Sequence, residues 1–469
     1  MDAMRWMKIV IMVGVVVSMP MVGRGAGTVK VYPAPAGEPM SKMYTVSVEG
    51  KSSPVYVAKV NSMVNEREQL AGEAGFTSFD LDGIAIVTVT YSGKVTAAKV
   101  LPASRGIVAQ ISGNTISFTV SKPDPLTLEV NGDWNNSLHV FVNPMEAEPD
   151  LKDPHLIYFG PGIHEIEPMT LSSGTTVYLA GGAVVYGKAL ADKSQMKFRG
   201  IFTLEGDNIT LRGRGIIDGS RMPPHTLNLV ATSGTNLHLE GVILRDNGTF
   251  NLPIRGSNHV TIKNVKIFGH LLNSDGIDII NSQDVDISDS FVRTFDDEIA
   301  MKTSLPHGQP TKNVLVHHCV LWNQRAHALH LGMNIHDDIE NVTFKDSDII
   351  HDKGHDWLLR VFDGENGGTS KNIVWEDIRV EECRRLISLY IGHHDKKNID
   401  APLGHIEDIT FRNITSPKPE WDQGMWLLGG DKDHAVHGVR FDNVSIAGKP
   451  LKVGDIQNDG FADGVVVKP

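Results

Sequence analysis

The nine-residue stretch DVDISDSFV (Asp284–Val292) carries the pattern that decides the fold. Apolar and polar residues alternate at its start, a short polar step follows, and two further apolar residues close it. Alternation with a period of two is typical of a β-strand that buries one of its faces. The stretch therefore predicts two short strands on either side of a corner.

The same phrase returns along most of the chain, each time as a small or polar residue followed by alternating apolar positions. It recurs as NITLRGRGI from Asn208, NLHLEGVIL from Asn236, HVTIKNVKI from His259, NVLVHHCVL from Asn313, NVTFKDSDI from Asn341, NIVWEDIRV from Asn372, DITFRNITS from Asp408 and GVRFDNVSI from Gly438. Successive repeats are 23 to 36 residues apart. One coil of this length cannot bury its own apolar face, whereas stacked coils bury a continuous core.

We therefore predict a right-handed parallel β-helix (a pectin-lyase-like solenoid) of roughly ten coils, with loops of different length at the corners. The competing fold is a β-propeller. Propellers have repeats of about 40–50 residues with WD or kelch signatures, and this sequence has neither.

Residues 27–146 precede the repeats and have a different texture. Alternating runs such as MYTVSVEG (Met43–Gly50) and IAIVTVTY (Ile84–Tyr91) are separated by Gly, Ser and Asn turn signals. This texture predicts a small all-β domain of the sandwich type, without a grouping of residues suited to catalysis. Residues 147–469 form the predicted β-helix, which we expect to be the catalytic domain.

The first 26 residues have the pattern of a secretory signal peptide. Arg5 and Lys8 precede an apolar run from Ile9 to Val16, and small residues follow. A membrane anchor is the alternative, but the run is short and interrupted. We expect residues 1–26 to direct export, so that the protein is secreted, periplasmic or at the cell surface, with no membrane span.

Composition excludes several classes of protein. The formal net charge of the 469 residues is -12, and no run rich in Lys and Arg is present, which argues against a nucleic-acid partner. Cys319 and Cys383 are the only cysteines, too few for a disulfide framework, and we expect both to be buried thiols. No Cys/His spacing resembles a zinc site, so we predict neither a metal nor a cofactor.

Polar residues with chemical potential follow the repeats at similar distances. Counted from the first apolar residue of each repeat, Asp275, Asp296, Asp297, His327 and Arg360 lie 11 to 18 residues on, in four consecutive coils. Equivalent residues of stacked coils lie about 4.8 Å apart. We therefore expect these five side chains to meet at one corner of the solenoid.

A structural explanation competes for each aspartate, because Asp is common at turns, where it bonds the local backbone. Neighbours in a strand also face opposite sides, so Asp296 and Asp297 can share a site only if the chain bends there. Three carboxylates grouped with an imidazole and a guanidinium are harder to explain as turn residues.

These motifs resemble glycoside hydrolase family 28, the polygalacturonases, in the β-helical clan that also holds the family 49 dextranases. The family's signatures are Asn-Thr-Asp, Asp-Asp, Gly-His-Gly and Arg-Ile-Lys. They correspond here to Asn273-Ser274-Asp275, Asp296-Asp297, Ala326-His327-Ala328 and Arg360-Val361-Phe362. The resemblance covers roughly residues 150 to 450.

The resemblance implies a role for each matched residue. Asp296 corresponds to the general acid, and Asp275 and Asp297 correspond to the pair that holds and activates water. His327 would tune the proton of the acid, and Arg360 would bind the sugar. A glycosidase needs one protonated and one ionised carboxyl group, which agrees with this division.

Other candidate contacts to the sugar are less defined. Phe362 replaces the family's uronate-binding Lys, so the substrate is either a neutral sugar or an acidic sugar held differently; the ring either stacks on a sugar or packs in the core. Asn273 belongs to the first motif. His330 follows His327 by three residues, and Tyr390 lies near the equivalent corner of the next coil. For His330 and Tyr390 a purely structural place is the alternative.

The leading hypothesis is a secreted, metal-independent, inverting glycoside hydrolase that cleaves a polysaccharide or oligosaccharide and resembles the polygalacturonases. The alternatives are a dextranase-like hydrolase of a neutral glycan, a polysaccharide lyase, and a non-catalytic carbohydrate-binding β-helix. The sequence does not indicate the oligomeric state.

Overall fold

The computed structural model describes residues 27–61, 71–188, 190, 199–304, 308–364, 367–393, 400–421 and 424–469. The predicted signal peptide, residues 1–26, lies outside the described residues. Within them, no helix has the length and apolar character needed to cross a membrane. Cys319 and Cys383 are both buried free thiols, as predicted.

The N-terminal part is a β-sandwich. Its six-stranded sheet contains Thr28–Val31, Tyr56–Asn61, Ala71–Asp82, Ala98–Leu101, Asp124–Val130 and Asp133–Asn143. Its five-stranded sheet contains Tyr44–Val48, Lys51–Ser53, Ala85–Tyr91, Gln110–Ser112 and Thr115–Val120. Buried side chains from both sheets, such as Val46, Phe79, Val87 and Leu126, form one apolar core between them. A 3-10 turn, Ala103–Arg105, joins two strands.

The remaining chain winds into the predicted right-handed parallel β-helix, in which each strand pairs with the equivalent strand of the next coil. Three sheets run along this solenoid. The first sheet contains Leu156–Phe159, Thr176–Leu179, the ends of Gly200–Gly213 and Asn228–Glu240, Asn258–Lys263, Gln283–Ser288, Thr311–His317, the starts of Ile339–Asp352 and Thr369–Val380, His405–Arg412, Val436–Asp442, Ala462–Asp463 and Val466–Lys468.

The second sheet contains Gly162–Ile166, Ala183–Gly187, Ile216–Asp218, Ile243–Asn247, Lys266–Gly269, Phe291–Thr294, Val320–Asn323, the ends of Ile339–Asp352 and Thr369–Val380, Thr415–Ser416 and Ser445–Ile446. The third sheet contains Met169–Leu171, the starts of Gly200–Gly213 and Asn228–Glu240, Leu252–Arg255, Ile277–Ile280, Ile299–Thr303, Leu329–Ile335, Leu359–Asp363, Ile387–Ile391, Met425–Leu428 and Gln457–Asn458. Lys449–Pro450 folds back antiparallel near the C-terminal end, followed by a 3-10 turn, Val453–Asp455.

The first residue of each repeat, except His259, is Asn, Asp or Gly for a structural reason. These residues adopt left-handed backbone angles, with φ between 53° and 68°, at Asn208, Asn236, His259, Asp284, Asn313, Asn341, Asn372, Asp408 and Gly438. Asn, Asp and Gly tolerate this conformation best. Their side chains also join neighbouring coils: Asn341 donates to Asn313 (3.2 Å), and Asn372 donates to Asn341 (2.8 Å). The repeat phrase thus marks the corner that leads into the first sheet.

Packing divides the inside of the solenoid from its outside. Inside, a ladder of stacked rings runs along the first sheet from Phe344 through Trp375 and Phe411 to Phe441, with centroids 5.3, 4.8 and 5.2 Å apart. Such offset stacks add to the gain from burial alone.

On the outside, the N-terminal sandwich covers the second sheet. Phe76 stacks on Phe268 at 5.4 Å, and Phe141 meets Phe291 at 5.3 Å. The outer face of the third sheet also carries charged and polar side chains, and the candidate residues lie on this face and at the corner that leads into it.

Candidate active site

The candidate residues are aligned by the register of the third sheet. Three of its consecutive strands have paired positions at Ile277, Ile299 and Leu329. Asp275, Asp297 and His327 each precede one of these positions by two residues. They therefore form a column along the corner where the chain enters the third sheet. The structure therefore brings these three residues together.

Asp296 and Asp297 lie in a bend between the strands Phe291–Thr294 and Ile299–Thr303. The backbone N–H groups of Asn273 and Asp297 donate to the two oxygens of the Asp296 carboxylate, at 2.9 and 3.2 Å. The Thr294 hydroxyl donates to the carbonyl of Asp296 at 2.9 Å and holds the bend. The adjacent aspartates can therefore serve one site, because neither belongs to a strand. Asp297 is 8 % exposed, whereas Asp296 is less buried.

Lys302 stands at the centre of the carboxylates and was missed by the sequence analysis. Its ammonium lies 2.8 Å from Oδ2 of Asp275, 2.6 Å from Oδ1 of Asp278 and 3.6 Å from Oδ2 of Asp297. The side chain of Lys302 is 13 % exposed, and Asp278 is fully buried. Asp278 was missed too. Asp278 and Lys302 occupy outward positions of neighbouring strands, so the register of the third sheet was the signal that could have found them.

The charges in this cluster do not balance, because three buried carboxylates share one ammonium. Burial raises the pKa of Asp275 well above its usual range, against the effect of Lys302, with neighbouring aspartates adding to the rise. Burial likewise raises the pKa of Asp297 to about 7, again opposed by Lys302. Burial acts against the charged form of Lys302, yet the three carboxylates hold its pKa well above the usual value. Lys302 is therefore charged, and the carboxylates compete for protons.

His327 is held in one tautomer. Its Nδ1 lies 2.8 Å from the carbonyl oxygen of Trp357, so Nδ1 carries the hydrogen, and Nε2 accepts from the Arg360 guanidinium at 3.1 Å. Burial and the charge of Arg360 lower the pKa of His327 to about 4. The ring of His330 stacks on His327 with centroids 4.2 Å apart, and burial lowers the pKa of His330 well below the usual value. Both imidazoles are therefore neutral near neutral pH.

Arg360 projects from the next strand of the third sheet. Its guanidinium contacts Asp356 at 3.3 Å and lies over the ring of Phe362, 4.6 Å from the centroid. The Phe362 ring is 2 % exposed and packs at 5.1 Å from Tyr390. Phe362 thus faces outward from the sheet but lies beneath Arg360 and Tyr390. This burial favours the packing alternative over direct stacking on a sugar.

Aromatic side chains continue the column beyond His327. Trp357 packs against Trp426 with centroids 4.3 Å apart. The guanidinium of Arg385 lies 4.4 Å from the ring centroids of both Trp357 and Trp421. The outer face of the third sheet therefore has one part rich in carboxylates, around Lys302, and another part rich in arginines and aromatic rings.

A metal has no evident place here: in the described part of the chain, no group of three or more His, Cys, Asp or Glu is arranged to hold an ion. What the arrangement offers is acid–base chemistry. It combines a partly exposed carboxylate, two buried carboxylates beside an ammonium, and an arginine with hydrogen-bonding capacity. These are the parts that glycoside hydrolysis requires.

Comparisons with known proteins identify the family of this chain. The family model "Glycosyl hydrolases family 28" matches residues 164–459. An exopolygalacturonase of Arabidopsis thaliana (clone GBGE184) is 21% identical over 380 residues, which cover 75% of this chain and 83% of that protein.

Two solved structures resemble the fold. The exopolygalacturonase from Thermotoga maritima has a TM-score of 0.53 at 15% identity, covering 66% of this chain and 83% of its own. Dex49A from Penicillium minioluteum has a TM-score of 0.59 at 13% identity, covering 94% of this chain and 96% of its own. The second likeness therefore extends over the N-terminal sandwich.

Proposed function

Since the chain belongs to glycosyl hydrolase family 28 and is a polygalacturonase-like glycoside hydrolase acting on O-glycosidic bonds, we propose that it cleaves its polysaccharide by inverting acid–base catalysis with three aspartates. Asp296 donates a proton to the leaving glycosidic oxygen as the bond from that oxygen to the anomeric carbon breaks. Asp275 and Asp297 take a proton from the water that attacks the same carbon from the opposite face.

One observation carries this division of roles. Asp275 and Asp297 both lie within reach of Lys302, while Asp296 is bound by backbone N–H groups and is the more exposed member of the pair. Two carboxylates side by side suit the binding of one water molecule. A separate carboxyl group at the surface of the cleft suits contact with a leaving group.

Asp297 is the competing candidate for the acid, because its raised pKa also favours the protonated form. Leaving-group dependence separates the two. We expect Asp296→Asn to lose activity on the polysaccharide but to retain much more on an aryl glycoside with a good leaving group, which needs no acid. Asp297→Asn should be inactive on both substrates. The reverse result would exchange the two roles.

His327 and Arg360 would support the chemistry without exchanging protons with the substrate. The neutral imidazole accepts a hydrogen bond from Arg360 and so fixes the orientation of the guanidinium. We propose that Arg360 binds the sugar next to the scissile bond, with Asn273, His330 and Tyr390 at the same wall. Phe362 would act indirectly, as the surface on which Arg360 rests.

Stereochemistry provides a second test. Equivalent residues of stacked coils are about 4.8 Å apart, which is close to the carboxylate separation of about 5–5.5 Å found in retaining enzymes. We nevertheless propose inversion, since a nucleophile acting alone would need no partner, whereas Asp275 and Asp297 share one ammonium. Proton NMR of the first-formed product measures this directly. A product that keeps the anomeric configuration of the substrate would make one aspartate a nucleophile.

Phe362 stands at the position where the family has a lysine that binds a uronate. This replacement supports a second candidate function, the hydrolysis of a neutral glycan. We expect plain polygalacturonate to be a poor substrate compared with a modified pectic polymer. A screen of pectic, dextran-type and algal polysaccharides with product sizing tests this expectation. Reducing ends without the ultraviolet absorbance of an unsaturated product would exclude a lyase, and a lack of any new reducing ends would favour a non-catalytic carbohydrate-binding solenoid.

The remaining expectations concern the whole chain. We propose that residues 1–26 direct export, and that residues 27–146 and 147–469 are separate domains of the exported protein. Fractionation of cells that produce the full-length chain, with and without residues 1–26, measures the first. Limited proteolysis followed by mass spectrometry measures the second.

A further inference from the structure

We infer that Lys302, paired with the buried Asp278, is a positioning residue that keeps Asp275 and Asp297 together as the pair that holds the attacking water. This inference rests on the proposed function, and it adds two residues that belong to none of the four family motifs. Lys302 would touch no reacting atom. It would act through the two carboxylates that do.

The geometry places the Lys302 ammonium between the carboxylates on two coils. Its contacts of 2.8 Å to Asp275 and 3.6 Å to Asp297 reach one residue from each coil. Asp278 contacts the same ammonium, at 2.6 Å, and lies on the strand that pairs with the strand of Lys302. Asp278 is fully buried, so it has no access to the substrate and its carboxylate can act only on its neighbours.

Charge explains why such a contact is needed. Two carboxylates that hold one water repel each other, and burial adds to the cost of ionising both. An ammonium next to both of them offsets this repulsion. Without it, the pKa values of both carboxyl groups would rise further, and the pair would accept a proton from water only at a higher pH.

Other charged groups also face the pair and are part of the same balance. Asp278 and Asp296 raise the pKa of both Asp275 and Asp297. Asp356 adds to the rise at Asp297. The cations Arg255 and Arg360 oppose it, since each interacts with an aspartate of the cluster. Lys302 is the nearest of the cations to the pair, with direct ion-pair contacts to both members.

The test is a pair of substitutions with opposite expected signs. Lys302→Met removes the positive charge, so the acidic limb of the kcat/KM profile should move up by about one to two pH units, with kcat roughly 10²-fold lower. Asp278→Asn removes a negative charge, so the acidic limb should move down, with kcat within a few-fold of wild type. KM should change little in either variant. A purely structural role for Lys302 would not give opposite shifts.

Lys266→Met is the matched control, because Lys266 is another buried lysine of the solenoid, on the second sheet. Its pH profile should equal that of the wild type. If Lys302→Met fails to fold, Lys302→Gln, which removes the charge but keeps hydrogen-bonding capacity, takes its place. An acidic limb at the wild-type pH in that variant overturns the inference.

Titration of aspartate carboxyl groups by carbon-13 NMR provides a readout that needs no substrate. The same two variants should shift the titrations of Asp275 and Asp297 in the same opposite directions. Absence of product from wild-type enzyme would count against the proposed hydrolysis, whereas unshifted titrations would count against the role of Lys302.

Discussion

Two buried lysines on neighbouring sheets show how one solenoid creates two different environments. Lys266, on the second sheet, donates to the side chain of Asn143 and to the carbonyl and side chain of Asn264. Burial lowers the pKa of Lys266 well below its usual value. Lys302, on the third sheet, is surrounded by carboxylates that raise its pKa despite burial. Burial therefore favours loss of the proton at Lys266, whereas the surrounding carboxylates hold the proton on Lys302.

The difference comes from what covers each outer face. The N-terminal sandwich packs on the second sheet with rings such as Phe141, and it meets Lys266 with the amide of Asn143 and not with a carboxylate. Around Lys302, the outer face of the third sheet presents carboxylates instead. The coils supply the same backbone to both faces, and the outward residue of each strand determines whether the result is an interface or a candidate active site.

We call the outer face of the third sheet the open face, and the outer face of the second sheet, on which the sandwich packs, the covered face. The largest expected effect of a substitution is on the open face. Asp296→Asn should lower kcat on the polysaccharide by about 10²–10⁴-fold while the melting temperature stays close to that of wild type, because the amide cannot donate the required proton. Initial rates and thermal unfolding of the same preparation measure both quantities.

Asp289→Asn is the control for this change, since Asp289 is a corner residue at φ 52°, a conformation that Asn also adopts. It should retain full activity. Wild-type rates in the Asp296 variant would remove this residue from the mechanism.

A substitution on the covered face should have the opposite character. Trp322 is fully buried, with its ring 3.7 Å from the Arg293 guanidinium and close to His139. Trp322→Ala should lower the free energy of unfolding by about 3–5 kcal/mol, because it leaves a cavity between the sandwich and the second sheet. The activity of the molecules that remain folded should be unchanged. Denaturant unfolding and kcat at low temperature test this, and a selective loss of kcat would mean that the interface contributes to catalysis.

Arg360→Ala tests the binding capacity of the open face. Loss of a charged hydrogen-bond donor costs about 1.5–3 kcal/mol, so KM should rise roughly 10- to 100-fold with a smaller change in kcat. The comparison variant is Arg412→Ala, at a half-exposed arginine of the first sheet, which should leave KM unaltered. An unchanged KM in the Arg360 variant would place sugar binding elsewhere in the cleft.

The sequence predicted much of this arrangement, for reasons that are physical. The repeat phrase requires a corner residue with left-handed backbone angles, followed by inward apolar positions. Asn313 and Val314 meet these requirements, and both can be read directly from the sequence. The motif residues Asp275, Asp297 and His327 were predicted to lie together because they follow the repeat at similar distances in the sequence.

Asp278 and Lys302 were missed because they lie inside strands, where IDII and IAMK look like ordinary alternation. Distances counted from the first sheet vary with loop length. Distances counted from the start of each third-sheet strand do not, and that register places Asp278 and Lys302 on the outer face. The sequence could not show whether the Phe362 ring is available to a sugar or packed in the protein. Only the structure shows that Arg360 and Tyr390 cover the ring.

The smallest expected effect returns to the two lysines and uses the pH dependence of stability. Burial lowers the pKa of Lys266 in the folded state, whereas the unfolded chain binds a proton at this side chain up to a pH of about 10.4. Stability rises with pH wherever the unfolded state binds more protons, so Lys266 makes wild type more stable as pH increases through the alkaline range. Lys266→Met lacks this contribution. Its stability relative to wild type should therefore fall by up to about 1.4 kcal/mol for each pH unit between neutral and moderately alkaline pH.

Lys302 has the opposite sign, because its folded-state pKa lies above the unfolded one. Its stabilising contribution is fully present below the unfolded value and is lost only when pH rises through the folded value. The stability of Lys302→Met relative to wild type should therefore stay constant over the same neutral to moderately alkaline interval. Denaturant unfolding of both variants and wild type at matched ionic strength measures the two trends. Parallel trends would show that the two lysines share one charge state, and the contrast between the covered and the open face would then lie in shape rather than in charge.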